Sequence, residues 1–298
     1  MARERLRLGI SPCPNDTFIF DALLHGRVAS PFEWELTVAD VEELNRLVLA
    51  GRLDVAKVSF HAFGLAVDDY VLLRSGSALG RGCGPLLLAR APMAPEAAAG
   101  GPIAVPGSLT TAALLLRLFL PGARRFEPML FSRIPGAVAA GEVPAGVVIH
   151  ESRFTYRELG LVCLQDLGAW WEAVTGRPIP LGGIVARRAL GEERIRAVDR
   201  ALAASVRHAR KHPDASREFV AAHARELDPG VIRAHIGLYV TAFTEEIGAE
   251  GEAAVAELFR RAAAAGVFPD RGGGAGRNMV LSREPGRPGE ATPDCTRR

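Results

Sequence analysis

A chain of 298 residues can form one large domain or two ordinary ones, and it can bury a sizeable core. Hydrophobic residues make up 48% and charged residues 23%, as in a globular protein rich in Ala, Leu and Val, and the formal net charge of +2 gives no bulk electrostatic argument for a nucleic-acid or membrane partner. Cys13, Cys83, Cys163 and Cys295 are widely spaced with no Cys-x-x-Cys pair, which argues against a zinc site and against a disulfide framework. The start, Met1 to Ile10, alternates Arg with Leu and lacks the apolar run of a signal peptide. No stretch reaches the roughly 18 continuous apolar residues of a membrane span, so the expected setting is the cytoplasm and the expected partner a small molecule. The oligomeric state is left open.

Leu6, Leu8 and Ile10 alternate with Arg5, Arg7 and Gly9, which predicts a first strand. Ser11-Pro12-Cys13-Pro14-Asn15-Asp16-Thr17-Phe18 follows. Its two prolines forbid regular structure, and Asn15, Asp16 or Thr17 can cap a helix running to His25, with Gly26 ending it. The result is a rigid strand-to-helix turn, structural or aimed at a site; Cys13 has no histidine local to it and reads as packing. Trp34 to Val38 predicts a second strand, and Asp40-Val41-Glu42-Glu43 a capping box for a helix that stops at Gly51.

Asp54 to Ser59 reads as a third strand with Lys57 inside it. A lysine there must reach solvent or a charge, so Lys57, Val58 and Ser59 are either an ordinary strand end or one wall of a cleft. Strands at Tyr70–Leu73 and Pro85–Ala89 flank a glycine-rich segment, Ser75 to Gly84, which matches no nucleotide-binding fingerprint and reads as a flexible, lid-like turn. Residues 91–102 have a linker composition and mark a candidate crossing between lobes.

Ile103-Ala104-Val105 then opens a second lobe. The Gly107-Ser108-Leu109-Thr110-Thr111-Ala112 turn leads into an apolar helix, an arrangement whose free N–H groups suit an anion, with ordinary capping by Ser108 or Thr110 compatible with that role. Val147-Val148-Ile149 predicts a buried strand that puts His150 at its C-terminal tip. There an imidazole is either held by backbone hydrogen bonds or free to take a proton in a cleft. Trp170 and Trp171 read as core. Pro180 to Ala186 looks like the return crossing, where Gly182 and Gly183 allow close backbone approach. From Glu192 the pattern is helical; His208, His212, His223 and His235 lie scattered along it and read as structural or exposed. Gly272 onward reads as a disordered tail.

The expectation is therefore an α/β protein of two lobes with the ligand cleft between them and a helical C-terminal part. Lobe I takes residues 1–90 plus 184–271, lobe II residues 91–183, and 272–298 form the tail. Two lobes, two crossings and a helical finish resemble the periplasmic-binding-protein type II architecture. Within it, Ser11-Pro12-Cys13-Pro14-Asn15-Asp16-Thr17-Phe18, then Lys57-Val58-Ser59, Leu109-Thr110-Thr111-Ala112, Ile149-His150-Glu151 and Leu181-Gly182-Gly183, in that order, resemble the 1,4-dihydroxy-6-naphthoate synthase family of the futalosine route to menaquinone. The resemblance spans roughly residues 6–270.

It implies a lyase that turns cyclic dehypoxanthine futalosine into 1,4-dihydroxy-6-naphthoate with loss of dihydroxyacetone, using neither metal nor redox cofactor. It implies His150 as the base, Lys57, Val58, Ser59, Thr111 and Ala112 as substrate contacts, and Asn15, Asp16, Gly182 and Gly183 as cleft lining. Two other readings share the fold: a chorismate dehydratase of the same pathway, and a non-catalytic intracellular solute-binding sensor.

Overall fold

The computed structural model describes residues 3–224, 228–268 and 279–283. Among the described residues eleven strands form two sheets: β1 Glu4–Ile10, β2 Phe32–Val38, β3 Val55–Ser59, β4 Tyr70–Leu72, β5 Ala78–Gly80, β6 Leu86–Ala89, β7 Ile103–Val105, β8 Phe126–Pro128, β9 Ala145–Val148, β10 Val162–Asp166 and β11 Ile179–Arg187. The first sheet runs β2-β1-β3-β11-β4, with β5 also paired to β11; the second runs β10-β6-β9-β7-β8. Strands that alternate with helices pair in parallel, as β1 does with β2 and β3, and β7 with β8 and β9. β11 returns antiparallel to β3, β4 and β5, and its Gly182 lies opposite Ser59.

Burial follows the side-chain pattern. In β1 the leucines and Ile10 are buried while Glu4 and Arg5 face solvent. β3 is buried at all five positions, Lys57 included, as expected of a strand covered on both faces. The helix Pro14–Leu24 packs its apolar side against the long C-terminal helix Glu192–Lys211; the Ser205 hydroxyl in that helix donates to Ile19 O (2.6 Å) and accepts from Leu23 N (3.0 Å). The C-terminal helices thus cover the first sheet and carry the chain back to the turn after β1.

Four expectations change. The chain passes from one sheet to the other between Gly80 and Leu86, and back between Asp166 and Ile179, rather than at 90/91 and 183/184. A short apolar run such as Leu86–Ala89 reads the same in either sheet, and the Ala/Pro-rich segment 91–102 is a surface connection holding the short helix Pro95–Ala98.

The Ser75–Gly84 segment is not a lid. It contains β5, Ser75 and Ser77 are buried, and Gly84 packs so closely on Gly168 that a Cβ would stand 2.2 Å from the Gly168 nitrogen. The first helix begins at Pro14 with Cys13 at its N-cap, so Asn15, Asp16 and Thr17 lie inside its first turn rather than capping it.

Finally, part of the expected disordered tail is ordered. Leu72 N donates to Met279 O, Leu281 N donates to Leu72 O, and the Leu281 side chain is buried in the core beneath. The rest of 272–298 lies outside the described residues. No helix among the described residues is long and apolar enough to cross a membrane.

Candidate active site

A cavity of about 80 Å³ opens between the two sheets, at the ends of β1 and β3 on one side and of β7 and β9 on the other. Its first wall is built on Asp16. The prolines at 12 and 14 fix the turn after β1 and start the helix at Pro14, which brings the Asp16 carboxylate back over Ser11. One carboxylate oxygen accepts from Ser11 N (3.2 Å) and Ser11 Oγ (2.6 Å). The other accepts from Asn15 Nδ2 (2.9 Å) and from Lys57 Nζ (2.7 Å).

The Lys57 side chain is 9% exposed and that of Asp16 0%, so this ion pair is buried, and the hydrogen bonds around Asp16 offset its desolvation. Lys57 therefore does not reach solvent, as an ordinary strand lysine would. Ser59, two residues on, is held by Asn45: its N–H donates to Asn45 Oδ1 (2.9 Å) and Asn45 Nδ2 donates to its hydroxyl (3.2 Å). Gly182 lets β11 lie against this wall, because a Cβ there would stand 2.5 Å from the Val58 carbonyl oxygen.

The second wall is the start of the helix Thr111–Phe119. Thr110 is its N-cap, with its hydroxyl accepting from Ala113 N (3.2 Å). The Thr111 and Ala112 N–H groups, in the first turn, have no acceptor within the helix by its geometry, and both residues line the cavity. The Thr111 hydroxyl accepts from Phe60 N (2.9 Å) and donates to Leu181 O, bridging to the first lobe. Another bridge is Glu42, whose carboxylate accepts from Ser108 N (3.1 Å) and Leu109 N (3.0 Å). Gly107, at φ 143°, leaves space for it, since a Cβ would come 2.3 Å from Glu42 Oε2.

His150 stands where the walls meet. β9 ends at Val148, so His150 lies in the turn beyond the strand; among the described non-glycine residues it alone has a positive φ, 55°. Its ring is met edge-on by Phe131 (centroids 5.0 Å) and lies nearly parallel to the ring of His235 (5.8 Å, 15°). Its Nε2 is 3.7 Å from Cys13 Sγ.

Burial pulls the His150 pKa down from 6.5 to about 4, with Asp16 opposing and Lys57 adding to the effect, so the imidazole is neutral at neutral pH. Burial likewise holds the Cys13 thiol protonated, its pKa raised well above the usual range, so it does not present the thiolate a nucleophile needs.

Of the expected residues, Asn15, Asp16, Lys57, Val58, Ser59, Thr111, Ala112, His150 and Gly182 all line this one cavity. Gly183 does not: the strand alternates, and a Cβ there would meet Leu72 Cδ1 at 2.4 Å inside the core. Three neighbours escaped the sequence reading. Cys13 has no histidine nearby in sequence but has one in space, 137 positions on. His235, expected to be structural or exposed, is fully buried against His150, and Tyr239, one turn further along the same helix, lines the cavity. The spacing Ile232, His235, Ile236, Tyr239 carried the signal, an apolar helical face interrupted by an imidazole. Among the described residues, no group of three or more His, Cys, Asp or Glu is placed to hold a metal ion.

Residues 6–264 match a family model described as menaquinone biosynthesis. The chain is 54% identical over 266 residues to a 1,4-dihydroxy-6-naphthoate synthase of Thermus thermophilus, covering 89% of this chain and 96% of that protein. It is 48% identical over 280 residues to a protein of the same name from Streptomyces coelicolor, covering 91% and 98%. Among solved structures, a protein from Archaeoglobus fulgidus superposes with a TM-score of 0.83 at 36% identity, over 89% of this chain and 98% of that one. The alkanesulfonate-binding protein of Xanthomonas axonopodis pv. citri superposes with a TM-score of 0.69 at 16% identity, over 94% and 97%. The fold is thus that of the periplasmic binding proteins, with the cavity between the lobes.

Proposed function

The chain belongs to the menaquinone biosynthesis family, and from that premise we propose that it is a cytoplasmic lyase converting cyclic dehypoxanthine futalosine to 1,4-dihydroxy-6-naphthoate and dihydroxyacetone. The observation that carries this reading is a neutral imidazole, His150, on the wall of a cavity that also holds the start of the helix Thr111–Phe119.

A carbocycle bearing a carbonyl needs one proton removed to begin elimination, and aromatisation then drives the reaction on. His150 takes that proton. The N–H groups of Thr111 and Ala112 hold the substrate carboxylate, with the positive end of the helix behind them. Lys57 and Ser59, on the facing wall, donate to substrate oxygens, and Val58 packs against the ring. Asn15, Asp16 and Gly182 shape that wall. Bringing the lobes together excludes water from the reacting atoms.

The test is a turnover assay on cyclic dehypoxanthine futalosine, following the naphthoate by chromatography and mass, with chorismate run in parallel and His150→Ala beside the wild type. Naphthoate from the wild type and none from the folded variant is the expected result. Naphthoate from both would remove His150 from the mechanism. Turnover of chorismate alone would replace the substrate, and binding without turnover would make the protein a sensor.

The acid limb gives a second check. Protonation removes the base, so kcat/KM should fall as the pH drops through the His150 pKa, near 4 and well below 6.5.

A further inference from the structure

We propose that His235, on the C-terminal helix Pro229–Tyr239, is a positioning residue for His150: its ring stands parallel to the base across the boundary between the lobes and fixes that ring in place. The inference rests on His150 acting as the base.

His150 belongs to the lobe of β9, and its backbone lies outside the strand, so ladder hydrogen bonds do not set its side chain. The contacts that orient its ring come from Phe131 in its own lobe and from His235 and Cys13 in the other.

His235 is itself held without freedom. Asn15 Nδ2 is committed to Asp16 Oδ1, so the Asn15 amide oxygen faces His235, and His235 Nε2–H donates to it (2.9 Å). The proton on Nε2 leaves Nδ1 as a bare lone pair, and that atom is buried with no hydrogen-bond partner. Tyr239 packs against it as well, its ring centroid 4.6 Å from that of His235. A charged His235 would add an N–H with no acceptor beside a ring that must itself accept a proton, and burial, His150 and Lys57 together hold its pKa well below 6.5. A neutral, fixed, parallel ring is what a forming imidazolium can rest against.

The result is one continuous support. Lys57 and Ser11 fix Asp16, Asp16 fixes Asn15, Asn15 fixes His235, and His235 fixes the base on the opposite lobe. His235 does not line the cavity, which separates it from the substrate contacts. The ionisable groups facing His150 are Cys13 and Asp16 from the first turn and helix, Lys57 from β3, and His235 and Tyr239 from the C-terminal helix, with Glu151 its chain neighbour.

The experiment compares wild type with His235→Gln and His235→Ala, which lack the ring, and with His235→Phe, which restores a flat ring without titrating. Two readouts are taken on folded protein: kcat, KM and the acid limb of kcat/KM with cyclic dehypoxanthine futalosine, and the His150 midpoint from nitrogen-15 imidazole NMR, assigned by loss of its signals in His150→Gln.

Without the ring, kcat should fall on the order of ten- to a hundredfold while KM stays within about twofold. The His150 midpoint should rise from about 4 toward 6.5 as water reaches its exposed face. Phe should recover the low midpoint and most of kcat. One folded ring-less variant suffices, because Gln and Ala carry the same expectation. An unchanged midpoint and kcat in a ring-less variant, or a Phe variant that behaves like the ring-less ones, would overturn the inference. Turnover by His150→Ala would instead overturn the base assignment, and the NMR midpoint then still reports whether the rings are coupled.

Discussion

Each lobe presents to the cavity a turn between a strand and a helix, and the two turns solve opposite problems. Ser11–Cys13, between β1 and the helix Pro14–Leu24, turns its polar groups inward: Asp16 gathers Ser11, Asn15 and Lys57 into a closed set. Pro106–Thr110, between β7 and the helix Thr111–Phe119, has its outer donors taken by Glu42 from the other lobe and turns the first N–H groups of its helix toward the cavity. One turn is a finished wall that buries charge. The other is an unfinished one, whose donors await an acceptor. In the function proposed above, the first lobe supplies scaffolding, orientation and the Lys57 and Ser59 donors, and the second captures the anion.

The sharpest way to break the first turn is Asp16→Asn, which leaves Lys57 buried and unpaired. A loss of about 3–5 kcal/mol in urea unfolding is expected, together with loss of turnover. A stability unchanged within error would mean that the ammonium escapes to water and the wall is not closed.

Acidification tests both turns at once. His61 beside Thr110 has a pKa of about 4, His150 the same, and His235 beside Asn15 is also held well below 6.5, each depressed chiefly by burial. An imidazole depressed on folding contributes stability above its unfolded pKa of 6.5 and loses it as the pH falls below that. Between pH 7 and pH 5 the buried His61 alone should remove about 2 kcal/mol, seen as a fall of several degrees in Tm. A flat Tm over that range would show that the turns open and hydrate their imidazoles.

Smaller effects belong to the second turn. Thr111→Val removes the hydroxyl that bridges Phe60 N and Leu181 O, and should cost about 1–2 kcal/mol while raising KM. Thr110→Ala removes the cap of the helix together with the hydroxyl's bond to Gly107 O, about 1 kcal/mol, with little effect on kcat. If the cap variant lost turnover as badly as Asp16→Asn, the division of labour between the turns would fail.

The local parts of this site could be read from the sequence. Proline pairs and the capping threonine at 110 act within a few residues, and local chemistry is what a sequence displays, whereas Lys57 finds its partner Asp16 on another element. His235 and Cys13 acquire meaning only from contacts 85 and 137 positions away, made when the C-terminal helices fold back over the first sheet. The crossing between sheets is hard to read for a similar reason: Leu86–Ala89 is apolar on both faces, and nothing in such a run names its partner strand. Glycine content misled at Ser75–Gly84, where Gly84 provides tight packing on Gly168 rather than freedom of movement. In the tail, Met279-Val280-Leu281 is a short apolar island among Gly, Pro and Arg, and it was masked by its surroundings until Leu72 supplied the hydrogen bonds.

The left-handed backbone of His150 has a practical consequence for anyone building variant libraries at this position. Most side chains there meet a steric penalty of roughly 1–2 kcal/mol before any chemistry is read, and β-branched ones more. A saturation screen would therefore report folding defects alongside lost basicity. Glycine and asparagine tolerate that conformation and lack a base, so loss of turnover in those two replacements speaks most directly of chemistry.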